Sequence, residues 1–362
     1  MTGEGPLRGV RVLEMGAIGP VPFCAMLLAD LGADVLQAAR PDRAPPLDQR
    51  FDVTGRSRRS IIADLKQPGG IALVRDLARR ADILIEGNRP GVMERLGLGP
   101  SVLHQANPRL VYGRMTGWGQ TGPLAATAGH DINYIALTGA LHAIGRAGER
   151  PAPPLNLAGD YGGGALYLAL GVVCALVEAR SSGLGQVVDA AMTDGSASLM
   201  SLFSGLFARG AWTMERGANL LDGGAPWYDT YTTADGRYVA VGALEEPFWL
   251  ALLNGLGLDP ASMPSRADRA QWPVIRARLS AAFLAHPRDL WAERFAETDA
   301  CVTPVLNLEE AAAHPHNRAR STFVEVEGVV QPGPAPRFSR TPSALPKGAA
   351  PPCAGVPASW HD

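Results

Sequence analysis

VRVLEMGAIGPVPFCAMLLADLGADVLQAA, residues 10–39, is the stretch that decides the fold. Residues 10–15 are an apolar run of strand length. They end in Gly16-Ala17-Ile18-Gly19-Pro20, where Pro20 and Pro22 mark a turn or a first helical position. Residues 23–31 read as an apolar helix, Gly32 stops it, and residues 33–38 are a second strand. A strand, a helix and a strand in such close order imply two neighbouring parallel strands. The turn offers Gly-x-x-Gly rather than Gly-x-Gly-x-x-Gly, and Arg40 rather than an acid follows the second strand. Dinucleotide binding is therefore disfavoured.

The pattern repeats outward. Strands are predicted at 60–65, 83–86 and 110–115, with helices at 69–80 and 92–96 between them. Ligands of an open α/β sheet gather beyond the carboxyl ends of its strands. Arg40, Lys66, Arg89 and the loop Gly117-Trp118-Gly119-Gln120-Thr121-Gly122-Pro123 all stand there. Several cations at one sheet edge point to an anionic, phosphorylated ligand. The cluster Arg56, Arg58 and Arg59 is a further candidate for meeting phosphate. Residues 165–206 turn helical, interrupted at 181–186 and by a strand at 187–190. After a break at 222–226, residues 227–233 and 237–242 read as strands around an Asp235-Gly236 hairpin turn. Helices follow at 247–255, 272–285 and 290–298. The expected organisation is a Rossmann-like α/β domain over 1–191 with a parallel sheet and a helical linker over 192–224. A smaller α+β domain over 225–313 follows, then a return linker and tail over 314–362, irregular and wrapping the large domain.

Composition narrows the classes. The chain has 362 residues, 46% hydrophobic and 19% charged, with net charge −2. That is an ordinary globular balance, too weakly basic for a nucleic-acid partner. Four scattered cysteines, Cys24, Cys174, Cys301 and Cys353, form no Cys-x-x-Cys pair. They argue against a disulfide framework and a zinc site, and for a reducing cytoplasm. The N-terminus lacks a signal-peptide layout. The longest apolar run, 165–177, is too short to span a bilayer and reads as a core helix, so no membrane is expected.

Two polar islands carry the chemistry. Gly129-His130-Asp131-Ile132-Asn133-Tyr134 sets a histidine beside an acid. Downstream, Asn156 to Gly164 includes Gly159-Asp160-Tyr161-Gly162-Gly163-Gly164. His130 and Asp160 are two proton-transfer groups in segments where glycine lets the backbone approach a ligand. A buried histidine and a helix-capping aspartate would give the same pattern.

The accumulated motifs resemble the family III CoA-transferase superfamily. They are Leu31-Gly32-Ala33-Asp34-Val35, Ala63-Asp64-Leu65-Lys66, Glu86-Gly87-Asn88-Arg89-Pro90-Gly91, Glu94-Arg95-Leu96-Gly97, Gly185-Gln186-Val187-Val188-Asp189 and Pro336-Arg337-Phe338-Ser339-Arg340-Thr341-Pro342. Their order and spacing cover about residues 8–342, nearly the whole chain. Histidine at His130, where acyl-moving members usually carry an aromatic residue, resembles the racemase branch. So does the acid in Val241-Gly242-Ala243-Leu244-Glu245. Ala39 and Gly55 depart from the acid and asparagine that many relatives carry there.

The resemblance implies an isomerase of lipid metabolism that interconverts the epimers of 2-methylacyl-CoA thioesters. Inverting such a centre needs a proton removed from one face and returned to the other, which two groups do more easily than one. His130 and Asp160 would be that pair, with Glu245 orienting the His130 ring. A backbone N–H near Asp160 would meet the enolate oxygen, and burial would raise the Asp160 pKa. By resemblance, Arg40, Ala63, Leu65, Lys66, Gly87, Asn88, Arg89 and Arg95 contact CoA, and Gly129, Asp131 and Tyr134 line the thioester end. CoA is part of the substrate; no redox or metal cofactor is expected. Met192 and Met200 offer a soft acyl surface or are simply core. The resemblance also implies interlocked homodimers in which Glu245 comes from the partner. A CoA-transferase with Asp160 as nucleophile, and a non-catalytic acyl-CoA-binding protein, are the alternatives.

Overall fold

A computed structural model describes residues 5–41 and 49–361. Its centre is a six-stranded sheet of β1 (Arg11–Met15), β2 (Asp34–Ala39), β3 (Arg59–Ile62), β4 (Ile83–Glu86), β5 (Val111–Thr116) and β6 (Val187–Ala191). The strand order is β3-β2-β1-β4-β5-β6 and every pairing is parallel. This is the Rossmann order. The strands run apolar on both faces because helices cover both. On one face Val12, Ile83 and Ile85 pack with the helix Pro20–Asp30 and with Leu168 and Val172 of the helix Leu166–Ser182. On the other, Leu13, Leu36 and Leu84 pack with Val74 and Leu77 of the helix Pro68–Arg80. The order reverses between β1 and β4, so a crevice opens between their carboxyl ends, at Gly16–Gly19 and Gly87–Arg89. The two loops pack closely: a Cβ at Gly87 would fall 2.9 Å from Val21 and 3.3 Å from Ala17.

Two compact units make up the chain, one of residues 1–139, 154–200 and 312–362, the other of 140–153 and 201–311. In the second, β7 (Tyr228–Thr232), β8 (Tyr238–Gly242) and the short β9 (Val302–Pro304) form an antiparallel sheet with β8 in the middle. Helices Glu246–Leu256, Trp272–Phe283 and Arg288–Phe295 cover it around Trp227, Trp249, Phe283 and Trp291.

The C-terminal region is more ordered than its proline content implies. β10 (Phe323–Val326) and β11 (Val329–Pro332) form an antiparallel hairpin. The irregular chain beyond it exchanges hydrogen bonds with the first unit. Ser57 N–H donates to the Lys347 carbonyl (2.8 Å) and Cys353 N–H to the Ser60 carbonyl (2.7 Å). Trp360 ends fully buried in the core on the face of the sheet covered by the helix Pro68–Arg80.

The apolar run expected at 165–177 lies in a longer helical stretch, Leu157–Ser182, whose length and composition alone would suffice to cross a bilayer. Its first part, Leu157–Ala165, is a π-helix, and the Leu166 N–H closes a wide turn on the Tyr161 carbonyl. Within the protein its inner face belongs to the core, through Ala165, Leu168, Val172, Ala175 and Leu176.

Candidate active site

The two polar islands come together through Asp131. This carboxylate is buried, 6% exposed, although its neighbour His130 lies open to solvent. Its Oδ2 accepts the Gly159 N–H (2.7 Å) and the Asp160 N–H (2.6 Å), which ties the helix Asp131–Ala136 to the π-helix. The fit needs Gly159, since a Cβ there would lie 2.6 Å from that oxygen. The Asp160 carboxyl rests against the β1 turn, where a Cβ at Gly19 would come within 3.2 Å of Oδ2. Gly19 has φ +71°, a conformation that suits glycine. Asn156 Nδ2 lies 3.4 Å from the same Oδ2. Tyr161 stacks on Phe23 at 4.1 Å between ring centroids, which pins the turn from its far side.

The electrostatics follow from this packing. Burial pushes the Asp160 pKa up; the Asn156 hydrogen bond pulls it down, the Asp131 charge raises it further, and His130 lowers it. The expected direction is thus present, with desolvation as its main cause. Tyr134, buried behind His130, is also raised, by burial and by the Asp160 charge, with Arg89 opposing. Asp160 thus lies in the field of His130, and Tyr134 in those of Asp160 and Arg89. The His130 backbone is set by Asn133, whose Oδ1 accepts the His130 N–H at 3.0 Å. The Tyr134 hydroxyl donates to the Gly129 carbonyl, and the Trp118 ring meets the Tyr134 ring edge-on at 4.8 Å.

The cation positions fall where strand ends put them. Arg40 follows β2, Lys66 follows the Ala63-Asp64-Leu65 stretch beyond β3, and Arg89 follows β4; all three are exposed, as is Arg95 on the helix Val92–Arg95. The Gly87-Asn88-Arg89 loop is anchored from below by Glu86. Its Oε2 accepts the Asn88 N–H at 2.6 Å, and its Oε1 pairs with Arg114 at 3.2 Å. Glu245 lies in the second unit, exposed at the N-cap of the helix Glu246–Leu256.

The structure refines or corrects several expectations. Arg58 and Arg59 line a cavity with Arg40, and all three arginines of the Arg56–Arg59 cluster already hold carboxylates. Arg56 pairs with Asp30 at 2.6 Å and bonds Gln331, Arg58 pairs with Glu14, and Arg59 with Asp34. The first two pairs are buried. The Asp160 N–H itself is taken by Asp131, so a backbone donor for an enolate oxygen would have to be another N–H of the same turn. The glycines of Gly162-Gly163-Gly164 serve helix packing, not ligand approach. A Cβ at Gly163 would meet Ser196 Oγ at 2.4 Å, and one at Gly164 would meet Met192 at 2.8 Å. Met192 is correspondingly core, whereas Met200 is half-buried beyond the end of its helix.

The comparisons extend this geometry. The model of CoA-transferase family III matches residues 7–355. This chain belongs to that family. It is 48% identical to an alpha-methylacyl-CoA racemase of Mus musculus, over 93% of this chain and 87% of the relative. It is 46% identical to the Homo sapiens protein of the same name, with the same coverage. Its fold is similar to the crystal structure of a CAIB/BAIF family protein from Brucella suis, with TM-score 0.82 and 26% identity, covering 96% of this chain and 97% of that one.

Proposed function

We propose that this family member is an isomerase that interconverts the R and S epimers of 2-methylacyl-CoA thioesters, with His130 and Asp160 as its two bases. The observation that carries the proposal is the environment of Asp160, a half-buried carboxyl of raised pKa within the field of His130. Burial that raises the pKa of a carboxyl makes its conjugate base a better proton acceptor, which suits a group that must take up and return a proton. The names of the mammalian relatives support the same reading.

In the forward direction one group removes the proton α to the thioester carbonyl, giving an enolate. The other returns a proton to the opposite face. For the other epimer the roles exchange. The C–H bond broken is replaced by a C–H bond formed, so the step needs no redox cofactor, and CoA enters as part of the substrate. Arg40, Lys66, Arg89 and Arg95 would meet its phosphates, backbone groups of Ala63 and Leu65 its adenine, and Gly87 and Asn88 the adjoining chain. Gly129 and Tyr134 would border the thioester.

Glu245 completes the site by accepting from His130, and in this proposal it comes from the partner of an interlocked homodimer. Leu166, Leu170 and Val177 are 50%, 63% and 64% exposed along one helix, apolar surface that suits burial against a second copy. A cytoplasmic setting belongs to the same proposal and is supported by four cysteines that are all unpaired.

The test is an (R)-2-methylacyl-CoA incubated in deuterated water, following deuterium at C2 and configuration together. Uptake with appearance of the S epimer is expected. No uptake, with CoA trapped on Asp160 in a form that hydroxylamine releases, would replace the racemase by a CoA-transferase with Asp160 as nucleophile.

A further inference from the structure

Asp131 shares the substrate end of the site by position, yet its side chain is turned away from solvent into the protein. Both strong contacts of this carboxylate go to the backbone of the turn that bears Asp160. Oδ1 is buried without a hydrogen-bond partner among the described residues, so the clamp rests on Oδ2 alone. We propose that Asp131 is a positioning residue, whose buried carboxylate locks the Gly159–Asp160 turn and thereby sets the Asp160 carboxyl against Gly19 and toward His130.

Geometry explains the lock. Residues 130 and 131 are adjacent, so a rigid bond from Asp131 to the Asp160 N–H fixes the separation of the two segments that carry the proton-transfer groups. N–H bonds to a charged acceptor are stronger than neutral ones. The turn belongs to a π-helix, a rare arrangement found frequently at functional sites, and the lock holds its first turn to the neighbouring helix. Chemistry explains why an acid stands here. Asparagine would accept the same two N–H bonds through its oxygen without a charge. The aspartate adds a negative charge beside Asp160, which disfavours ionisation of the latter. The other groups facing Asp160 are His130, Tyr134 with Arg89 behind it, and Asn156 of its own turn. Only Asp131 grips its backbone as well as acting on its charge.

The inference rests on Asp160 as a proton-transfer group, but its test does not need turnover. The probes are hydrogen exchange of the amides at Gly159 and Asp160, and the Asp160 carboxyl titration followed by carbon NMR, in the ligand-free full chain. Asp131→Asn keeps the clamp and removes the charge. It should leave amide protection near the wild-type level and lower the Asp160 titration midpoint. Asp131→Ala should speed exchange at both amides by about tenfold, the order expected for loss of a charge-assisted hydrogen bond. In turnover, Asp131→Asn should move the corresponding limb of the kcat profile to lower pH with KM nearly unchanged. Unchanged exchange at both amides in Asp131→Ala, an Asp160 midpoint unmoved in Asp131→Asn, or a change confined to KM, would overturn the proposal and return Asp131 to the substrate contacts. If Asp131→Ala fails to fold, the Asp131→Asn titration still decides. Should the midpoint move as expected while no racemisation is found, the proposed function fails and the positioning role stands.

Discussion

Asp160 and His130 are held in opposite ways. Asp160 is fixed at its backbone by Asp131, at its carboxyl by Asn156 and the Gly19 turn, and at its flank by the Phe23–Tyr161 stack. His130 is fixed through its backbone by Asn133, and its side chain is exposed. One group is held by several parts of the chain; the other, with its ring exposed, is held through the capping box at the start of its helix. In the proposed function, Glu245 from the second unit is the further partner of the His130 ring.

The largest effect that would break the comparison is loss of either proton-transfer group. His130→Ala and Asp160→Ala should each lower kcat for epimerisation about 10²–10⁴-fold, the usual worth of general acid–base catalysis. Steady-state racemisation of one epimer measures it, and near-wild-type turnover in either variant would remove that residue from the mechanism. Next comes Glu245→Gln, expected to cost about 10–100-fold by analogy with orienting partners of histidine in metal sites. Mixing His130→Ala chains with Glu245→Ala chains sharpens this prediction. If Glu245 is donated across a dimer, each mixed dimer regains one intact site, and activity rises above that of either parent. Donation within one chain would restore nothing.

Smaller effects follow. Asn133→Ala removes the acceptor for the His130 N–H, one hydrogen bond of the capping box, worth about 0.5–1.5 kcal/mol of stability. Chemical denaturation should show that loss, with a several-fold fall in kcat as the His130 backbone loosens. The smallest prediction is a pH-dependent stabilisation. Because burial raises the Asp160 pKa in the folded chain, the folded state binds more protons than the unfolded one between the ordinary value of 3.8 and the raised value. Stability contributed by this group therefore falls as pH rises through that window, and ionised Asp160 is a burden at neutral pH. Asp160→Asn should raise Tm slightly at pH 7, with the gain disappearing below about pH 4. A lower Tm at pH 7 would mean that burial is not what governs this carboxyl.

The parallel sheet was legible because its strands are buried on both faces and read as short continuous apolar runs, as at residues 83–86. The short helix Pro100–Ala106, β9 and the β10–β11 hairpin were not, since a few residues of modest apolarity carry little periodic signal. His130, Asp160 and the strand-end cations were visible as residue types in glycine-bounded segments. What each neighbour does was hidden. Arg56 meets Asp30 and Gln331, 26 and 275 positions away, and Asp131 meets the Gly159 and Asp160 amides 28 and 29 positions away. Pairings at such separations are set by the fold, so the ion pairs of the three arginines and the backbone contacts of Asp131 could not be read from the sequence. The Gly162–Gly164 run was misassigned for the same reason: the partner that needs the space is the helix Met192–Leu199.

The most direct test of the two-base account is the stereochemistry of exchange in the single variants. Pure R and pure S 2-methylacyl-CoA would be incubated separately with His130→Ala and Asp160→Ala in deuterated water, and C2 deuterium scored for each. Two bases on opposite faces predict that each variant still exchanges one epimer with retention, the two variants sparing opposite epimers, and that neither inverts. Exchange of both epimers by one variant, or continued inversion by either, would mean that a single group serves both faces and would contradict the account.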